Sequence, residues 1–195
     1  GSLRAFRILG LLSYMGHKVT FWPDNLIKSE PYTSELQQKG VEVIFGQNNF
    51  GKFLDDRKDL YDVAIISRPH IASKYIDLIR DKMSQCIILF DTVDIHFLRM
   101  TRQSKLDGTV SKLELEKIKN MEISLMEKSD LTILTSIEEA KLLHMEFPYF
   151  RYILLPTIHI FQGKISEFDS RENMMFIGNF QHPPNICLHP IRIRA

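Results

Sequence analysis

Apolar and polar residues recur along the chain with two alternating periods, one helical and one typical of strands. Residues 3–15 place apolar side chains at helical spacing, with Ser2 expected to cap the start of this helix and Gly16 its end. Residues 17–22 then have the composition of a strand, and Pro23 ends it. The chain therefore opens with one helix followed by one strand.

The same alternation continues to residue 155. The later predicted helices are 31–39, 52–60, 72–83, 111–128 and 136–146, and the later predicted strands are 41–45, 61–67, 87–90, 131–135 and 152–155. Residues 61–67 are apolar enough for a parallel strand that is buried on both faces. Residues 100–110 are polar and contain Asp107-Gly108, which favours an exposed loop. This order predicts an α/β protein with a Rossmann-like parallel sheet and helices on both faces.

Composition and charge exclude several classes of protein. The 195 residues carry a net charge of +1, which gives no electrostatic reason to expect nucleic acid, since proteins that bind it normally have a basic face or stripe. Cys86 and Cys187 are far apart and no C-x-x-C spacing occurs, which predicts reduced thiols rather than a zinc site or a disulfide. No apolar run has the length of a membrane span. We expect a cytoplasmic protein, and a peripheral contact with the inner face of the membrane is compatible with this composition.

Several well-known sequence motifs are absent. The chain has no G-x-G-x-x-G after a strand and no G-x-x-x-x-G-K-[ST], so the usual phosphate-binding loops are missing. It also has no G-x-S-x-G and no H-E-x-x-H. These absences argue against dinucleotide-binding enzymes, P-loop enzymes, serine hydrolases and zinc proteases.

A further strand is predicted at 174–178, and polar residues follow four of the predicted strands at the point where each strand ends. They occupy residues 67–70, 91–96, 135–138 and 178–185. Because the carboxyl ends of parallel strands meet at one edge of a sheet, these segments are expected to line a ligand-binding crevice. The alternative for each residue is structural: Arg68 pairs with a carboxylate, Asp91 or Ser136 caps a helix, and His182 lies at the surface.

His96 is the best-defined candidate for a catalytic residue in these segments. An imidazole has an ordinary pKa near 6.5, which suits proton transfer at neutral pH, and a neighbouring Asp91 or Asp94 can orient it and raise its basicity. The alternative is that His96 packs or caps in the first turn of a helix. The sequence leaves both interpretations open.

Three segments together resemble a known family. DTVDIHFLR at 91–99, SRPH at 67–70 and FIGNFQHPPN at 176–185 are similar to segments of bacterial glycosyltransferases of family four. These are GT-B enzymes of the group-one type, frequently found in O-antigen and other polysaccharide pathways. The resemblance runs from residue 1 to about residue 185.

The resemblance implies a two-domain architecture and a class of substrates. Residues 1–165 would form the Rossmann-like acceptor-side domain without its first strand, and residues 166–195 would form a linker and the start of a truncated donor-binding domain. The donor would be a nucleotide sugar and the acceptor a glycan or a lipid-linked glycan. The resemblance implies no metal and no cofactor besides this donor.

It also implies roles for individual residues. His96, Asp94 and Asp91 would be catalytic and would lie in the cleft near the reacting carbon. Substrate-binding roles would fall to Arg68, His70, Gly178, Asn179, His182 and Asn185. The turn at 178–185 would approach the diphosphate of the donor, where a glycine lets backbone N–H groups reach phosphate.

Two departures from the family pattern lead to the expectation of a fragment that is inactive alone. Residues 186–195 lack the pattern of a complete donor domain, and the family has a strand in the middle of the sheet before the first helix.

Two other functions remain open. One is a non-catalytic α/β binding or regulatory module, such as a receiver-like domain that uses Asp91 in an acidic pocket. The other is a sugar-nucleotide epimerase built on the same two-domain plan.

Overall fold

The computed structural model describes residues 2–108, 110–161, 163, 167–170 and 172. The fold is α/β with parallel strands, as the sequence predicted. By its contacts the chain divides into two units, Gly1–Ile158 and His159–Ala195. In the second unit the described residues include one short 3₁₀ turn, Phe168–Ser170. The domain boundary expected after residue 165 stays a prediction.

Helices and strands alternate through the first unit. The helices are α1 Ser2–Tyr14, α2 Tyr32–Gln38, α3 Phe50–Asp55, α4 Pro69–Lys82, α5 His96–Asp107, α6 Lys112–Lys128 and α7 Ile137–Glu146. The strands are β1 Thr20–Phe21, β2 Glu42–Val43, β3 Val63–Ser67, β4 Ile87–Asp91, β5 Leu131–Leu134 and β6 Tyr152–Leu154. Within the described residues, no helix combines the length and the apolar composition needed to cross a membrane.

The strands form two parallel sheets. β1 pairs with β2, and the second sheet has the order β3-β4-β5-β6. In the second sheet each strand pairs with the next one along the chain, so every crossover moves in the same direction. Since such crossovers are right-handed, α4 to α7 are placed on one face of this sheet.

Two apolar cores follow from this arrangement. The larger core packs the four-stranded sheet, through residues such as Ile88 and Phe90, against α4, α6 and α7, through residues such as Ile76, Leu125 and Leu143. The smaller core packs α1 and α2 against the two-stranded sheet through Phe6, Leu36, Val41 and Val43.

The opposite face of the four-stranded sheet is partly uncovered. Val63 is 45% exposed, Ile65 38% and Ile87 50%, whereas Ile66 on the helix-covered face is 6% exposed. The prediction that residues 61–67 are buried on both faces is therefore wrong. The reason is topological, because β3 is an edge strand of this sheet and all of the sheet's own crossover helices lie on its other face.

The predicted loop at 100–110 is also wrong over most of its length. α5 continues to Asp107, and Gly108 ends it with a φ of 66°, a left-handed conformation that glycine adopts without strain. The Asp-Gly pair therefore marks the end of a helix and not a turn within a loop. A polar stretch of this length is compatible with an exposed helix whose packing contacts come from its first turns.

Other boundaries differ by a few residues. Ser2 lies inside α1 and not before it. The strands predicted at 17–22 and 41–45 are reduced to Thr20–Phe21 and Glu42–Val43. α3 begins earlier than residue 52 because the Asn49 side chain accepts a hydrogen bond from the Lys52 amide and so caps the helix.

Candidate active site

Three of the four polar segments singled out in the sequence meet at the carboxyl edge of the four-stranded sheet. Ser67 at the end of β3 lies beside Asp91 at the end of β4, and Asp91 lies beside Ile133 of β5. The expectation that these segments share one edge is confirmed for residues 67–70, 91–96 and 135–138. The fourth segment, which contains Gly178, Asn179, His182 and Asn185, lies outside the described residues, and its role stays a prediction.

Asp91 is buried and bound to residues from several elements. Its side chain is only 2% exposed and accepts hydrogen bonds from Arg4 Nη2 at 3.1 Å and from Ser67 Oγ at 3.1 Å. Arg4 is equally buried and donates from Nη1 to the carbonyl of Pro156 at 2.9 Å. The Asp91 carboxylate thus joins α1, β3 and β4. These contacts are those of a buried structural ion pair. The predicted catalytic role of Asp91 stays a prediction.

Asp94, His96 and Arg99 form a second, more accessible group. His96 Nε2 lies 3.2 Å from Asp94 Oδ1, and Arg99 Nε donates to Asp94 Oδ2 at 2.7 Å. The three side chains are 39%, 26% and 41% exposed in the order Asp94, His96, Arg99. The structure therefore brings together two of the three predicted catalytic residues and adds an arginine to them.

The pKa values of this group follow from its hydrogen bonds. Partial burial alone would raise the pKa of Asp94, but the hydrogen bonds with His96 and Arg99 lower it to about 2. The hydrogen bond with Asp94 raises the pKa of His96 above its ordinary value, although burial acts in the opposite direction. Since Nε2 faces Asp94, Nδ1 is the ring nitrogen that remains to accept a proton. It has no hydrogen-bond partner among the described residues.

The segment that delivers His96 is held in a strained backbone conformation. Val93 has a φ of 64°, which is unfavourable for a β-branched residue. Hydrogen bonds hold it there: Thr135 Oγ1 donates to the Val93 carbonyl at 3.2 Å, and Thr92 Oγ1 donates to the Ile133 carbonyl at 3.1 Å. Strain of this kind is found at sites where the surrounding structure fixes a functional side chain.

Two carboxylates that the sequence analysis did not select bind the same segment. The Ile95 amide donates to Glu139 Oε1 at 3.2 Å, and the amides of His96 and Phe97 donate to Glu122 Oε1 at 2.9 Å and Oε2 at 2.8 Å. Ser136 and Glu139 have the S-x-x-E spacing of a capping box. Ser136 does accept a hydrogen bond from the Glu138 amide, but Glu139 bonds to Ile95 instead of completing the box.

Arg68 and His70 lie on the same edge at the start of α4. Both are exposed, and Arg68 has a φ of 75° with its amide bonded to the Asp91 carbonyl at 2.9 Å. No side chain caps α4, and the guanidinium of Arg68 has no hydrogen-bond or ion-pair partner among the described residues. His70 lies near Asp24, where the hydrogen bond from Lys74 is the main cause of a lowered carboxyl pKa. Both predicted substrate-binding residues are thus accessible at this edge.

Neither a group of metal-binding side chains nor the cavity found in the described residues points to a ligand at this edge. The described residues contain no group of three or more His, Cys, Asp or Glu side chains that could hold a metal ion. An open cavity of about 220 Å³ lies instead at the amino ends of β5 and β6, lined by Asp130, Arg151 and their neighbours. None of the predicted site residues lines it.

Comparison of the chain with protein-family models, with curated proteins and with solved structures gave no significant match. The family resemblance of the three segments therefore stays a hypothesis.

Proposed function

We propose that this chain belongs to a glycosyltransferase that moves a sugar from a nucleotide-sugar donor to a glycan or a lipid-linked acceptor. The observation that supports the proposal best is the Asp94–His96 pair at the carboxyl edge of β4, where open α/β sheets bind their ligands. The resemblance of residues 67–70, 91–99 and 176–185 supplies the substrate class. Under this proposal the protein acts in the cytoplasm, at the inner face of the membrane when the acceptor is lipid-linked.

The proposed reaction assigns His96 the role of general base. The acceptor hydroxyl gives its proton to Nδ1 of His96, and its oxygen forms a bond to the anomeric carbon of the donor sugar. The bond from that carbon to the diphosphate oxygen breaks, and the electron pair leaves with the nucleoside diphosphate. Asp94 keeps the imidazole in orientation through Nε2 and stabilises the imidazolium that forms.

The cations at the same edge suit the leaving group. Arg68 and His70 are exposed beside the start of α4, where no side chain caps the helix and the helix dipole favours negative charge. In the proposed reaction they face the diphosphate or an anionic acceptor. The receiver-like alternative is less well supported, because it needs an open acidic pocket and Asp91 is buried against Arg4.

The test is the activity of His96→Ala. Because the resemblance places the donor on a second domain, the assay uses the longest polypeptide that the coding sequence specifies. Transfer from nucleotide sugars to lipid-linked and free glycans is measured as release of nucleoside diphosphate and as labelled product. We expect His96→Ala to lower turnover by about a hundredfold or more, the scale of general acid–base effects.

The matched control is His17→Ala, which removes an exposed histidine far from β4 in the sequence. It should leave turnover unchanged. If His96→Ala keeps turnover within a few-fold, His96 is a structural residue. If titration with nucleoside diphosphates and nucleotide sugars shows no saturable binding, both the transferase and the epimerase functions are wrong.

A further inference from the structure

Glu122 is a buried carboxylate on a helix whose face is otherwise apolar. Its exposure is 0%, and it lies on α6 beside Leu125 and Met126, which are also buried. A buried charge without partners is very costly, so such a group is normally bound on most of its lone pairs. The partners of Glu122 are the backbone amides of His96 and Phe97, at 2.9 Å and 2.8 Å.

These two amides are the first N–H groups of α5. Ile95, the residue before the helix, offers no side-chain acceptor for them. Glu122 therefore takes the place of a capping side chain, although it lies on another helix, 25 residues after Phe97. Because both oxygens are engaged, the carboxylate fixes the position of the His96 backbone as well as the direction of the helix start. Glu139 of α7 holds the preceding amide, that of Ile95, in the same way.

The charges that act on the imidazole of His96 are those of Asp94, Glu122 and Arg99, and the elements packed nearby carry two further charged residues. Asp94 precedes His96 on the connecting segment, and Arg99 lies one turn later on α5. From α6 come Glu122 and Lys119, whose ammonium lies 5.7 Å from the centre of the neighbouring Phe97 ring. From α7 comes Glu139, which accepts the hydrogen bond of the Ile95 amide, next to His96 in the chain.

The interaction between Glu122 and His96 acts on both groups. Burial raises the pKa of Glu122 above its ordinary value. The hydrogen bonds from the amides of Phe97 and His96 and the charge of the imidazole act in the opposite direction, because they favour the ionised carboxylate. In return, the hydrogen bond and the charge of Asp94 raise the pKa of His96, and the charge of Glu122 adds to them, whereas burial and the charge of Arg99 act in the opposite direction.

We propose that Glu122 is the positioning residue of His96: its buried carboxylate fixes the amino end of α5, and its negative charge stabilises the protonated imidazole. The proton-transfer role of His96 itself rests on the proposed function. Glu122 does not touch the substrate; it acts through the histidine that it holds. Asp94 orients the ring of His96 and Glu122 its backbone, so the two carboxylates have different tasks.

The first test needs no substrate. The pKa of His96 is measured by NMR titration of its ring carbon and nitrogen signals in the 195-residue chain, with His96→Ala used for assignment. Glu122→Gln keeps the size of the side chain and one acceptor oxygen but removes the charge. We expect the pKa of His96 to be lower in this variant than in the wild-type chain. Glu116→Gln, an exposed carboxylate on the same helix, is the matched control and should leave it unchanged.

A second measurement covers the case in which Glu122→Gln does not fold. In the wild-type chain the carboxyl carbon of Glu122 is followed through the same titration, and we expect it to respond at the pH at which His96 loses its proton. A His96 pKa that does not change in folded Glu122→Gln overturns the proposal. So does a Glu122 carboxyl signal that does not respond to the titration of His96.

The activity readout separates this inference from the proposed function. If transfer is observed, Glu122→Gln should lower kcat by about tenfold, which is less than the loss of about a hundredfold or more expected when the acid–base group itself is removed. It should also move the acidic limb of the pH–rate profile to lower pH. A residue that only supported the fold would lower activity without moving that limb. If no transfer is found, the proposed function fails, but the NMR result still decides whether Glu122 positions His96.

Discussion

Two aspartates three residues apart have different environments in this protein. Asp91 is buried and bound to Arg4 and Ser67, whereas Asp94 is 39% exposed and bound to His96 and Arg99. Their sequence context is nearly the same, since both follow an apolar strand. The difference comes from Arg4, which lies 87 residues away along the chain. No local pattern could have assigned the two carboxylates to their separate roles.

The ion pair between Arg4 and Asp91 leads to a prediction about stability. Arg4→Met removes the cation and leaves Asp91 as an uncompensated buried charge, so we expect the free energy of unfolding to fall by about 3–5 kcal/mol. Arg4→Met with Asp91→Leu removes both charges and should regain most of that loss. Urea denaturation followed by circular dichroism measures both effects. The control is Arg102→Met, an exposed arginine of α5, which should change stability little.

An equal loss in the single and the double variant would show that packing, and not charge, explains the effect of Arg4. A loss within the range of the Arg102 control would show that the ion pair contributes little to stability.

The pair of Asp94 and His96 leads to a prediction about pH. The pKa of Asp94 is lowered from 3.8 to about 2, so its stabilising effect is complete above 3.8 and is lost as pH falls toward 2. The pKa of His96 is raised above 6.5, so its effect is complete below 6.5 and is lost as pH rises through the raised value. Both contributions are present together between about pH 4 and 6.5.

Asp94→Asn should therefore reduce stability most within that range. Because these side chains are partly exposed, the expected loss is on the order of 1 kcal/mol after allowance for solvent screening. Urea denaturation at intervals from pH 3 to pH 9 measures the difference between the wild-type chain and the variant. A difference that does not depend on pH would contradict the assigned contacts.

At the scale of elements, the order of helices and strands was predictable because each element carries its own period. Parallel pairing followed from the helices between the strands. The errors have physical causes that a local pattern does not contain. α5 is polar beyond its first turns and was taken for a loop, and residues 61–67 look like a central strand although β3 is at the edge of its sheet.

The candidate site was predictable from the sequence where its residues lie at strand ends. The carboxyl ends of β3, β4 and β5 followed from the parallel assignment, and so did the candidates Arg68, Asp94 and His96. Glu122 was not selected, although a carboxylate between the apolar residues of α6 is a visible signal. Its partners are backbone amides of another helix. Every residue type except proline has such an amide, so the sequence does not indicate which amides a buried carboxylate will bind.

At the scale of the whole molecule, the partly uncovered sheet face leads to a prediction about self-association. Ile65 and Ile87 are exposed on neighbouring strands, and exposed apolar surface near a strand edge favours contact between molecules. Ile65→Thr with Ile87→Thr keeps the tendency to form strands and should reduce association of the chain. Sedimentation velocity at several concentrations measures this.

The control for that experiment is Leu60→Thr, which changes a side chain that is 71% exposed just before β3. It should leave the sedimentation coefficient unchanged. Equal sedimentation of the wild-type chain and the double variant would show that this face does not mediate association.

The strand order of the larger sheet also affects how the chain folds. Because β3, β4, β5 and β6 pair in the order in which they occur, each new strand meets a partner that is already in place. Contacts between segments close in sequence form faster than contacts across long loops. During synthesis this sheet can therefore grow by one strand and its helix at a time. The contact between Arg4 and Asp91 spans 87 residues and has to wait until both of its ends are available.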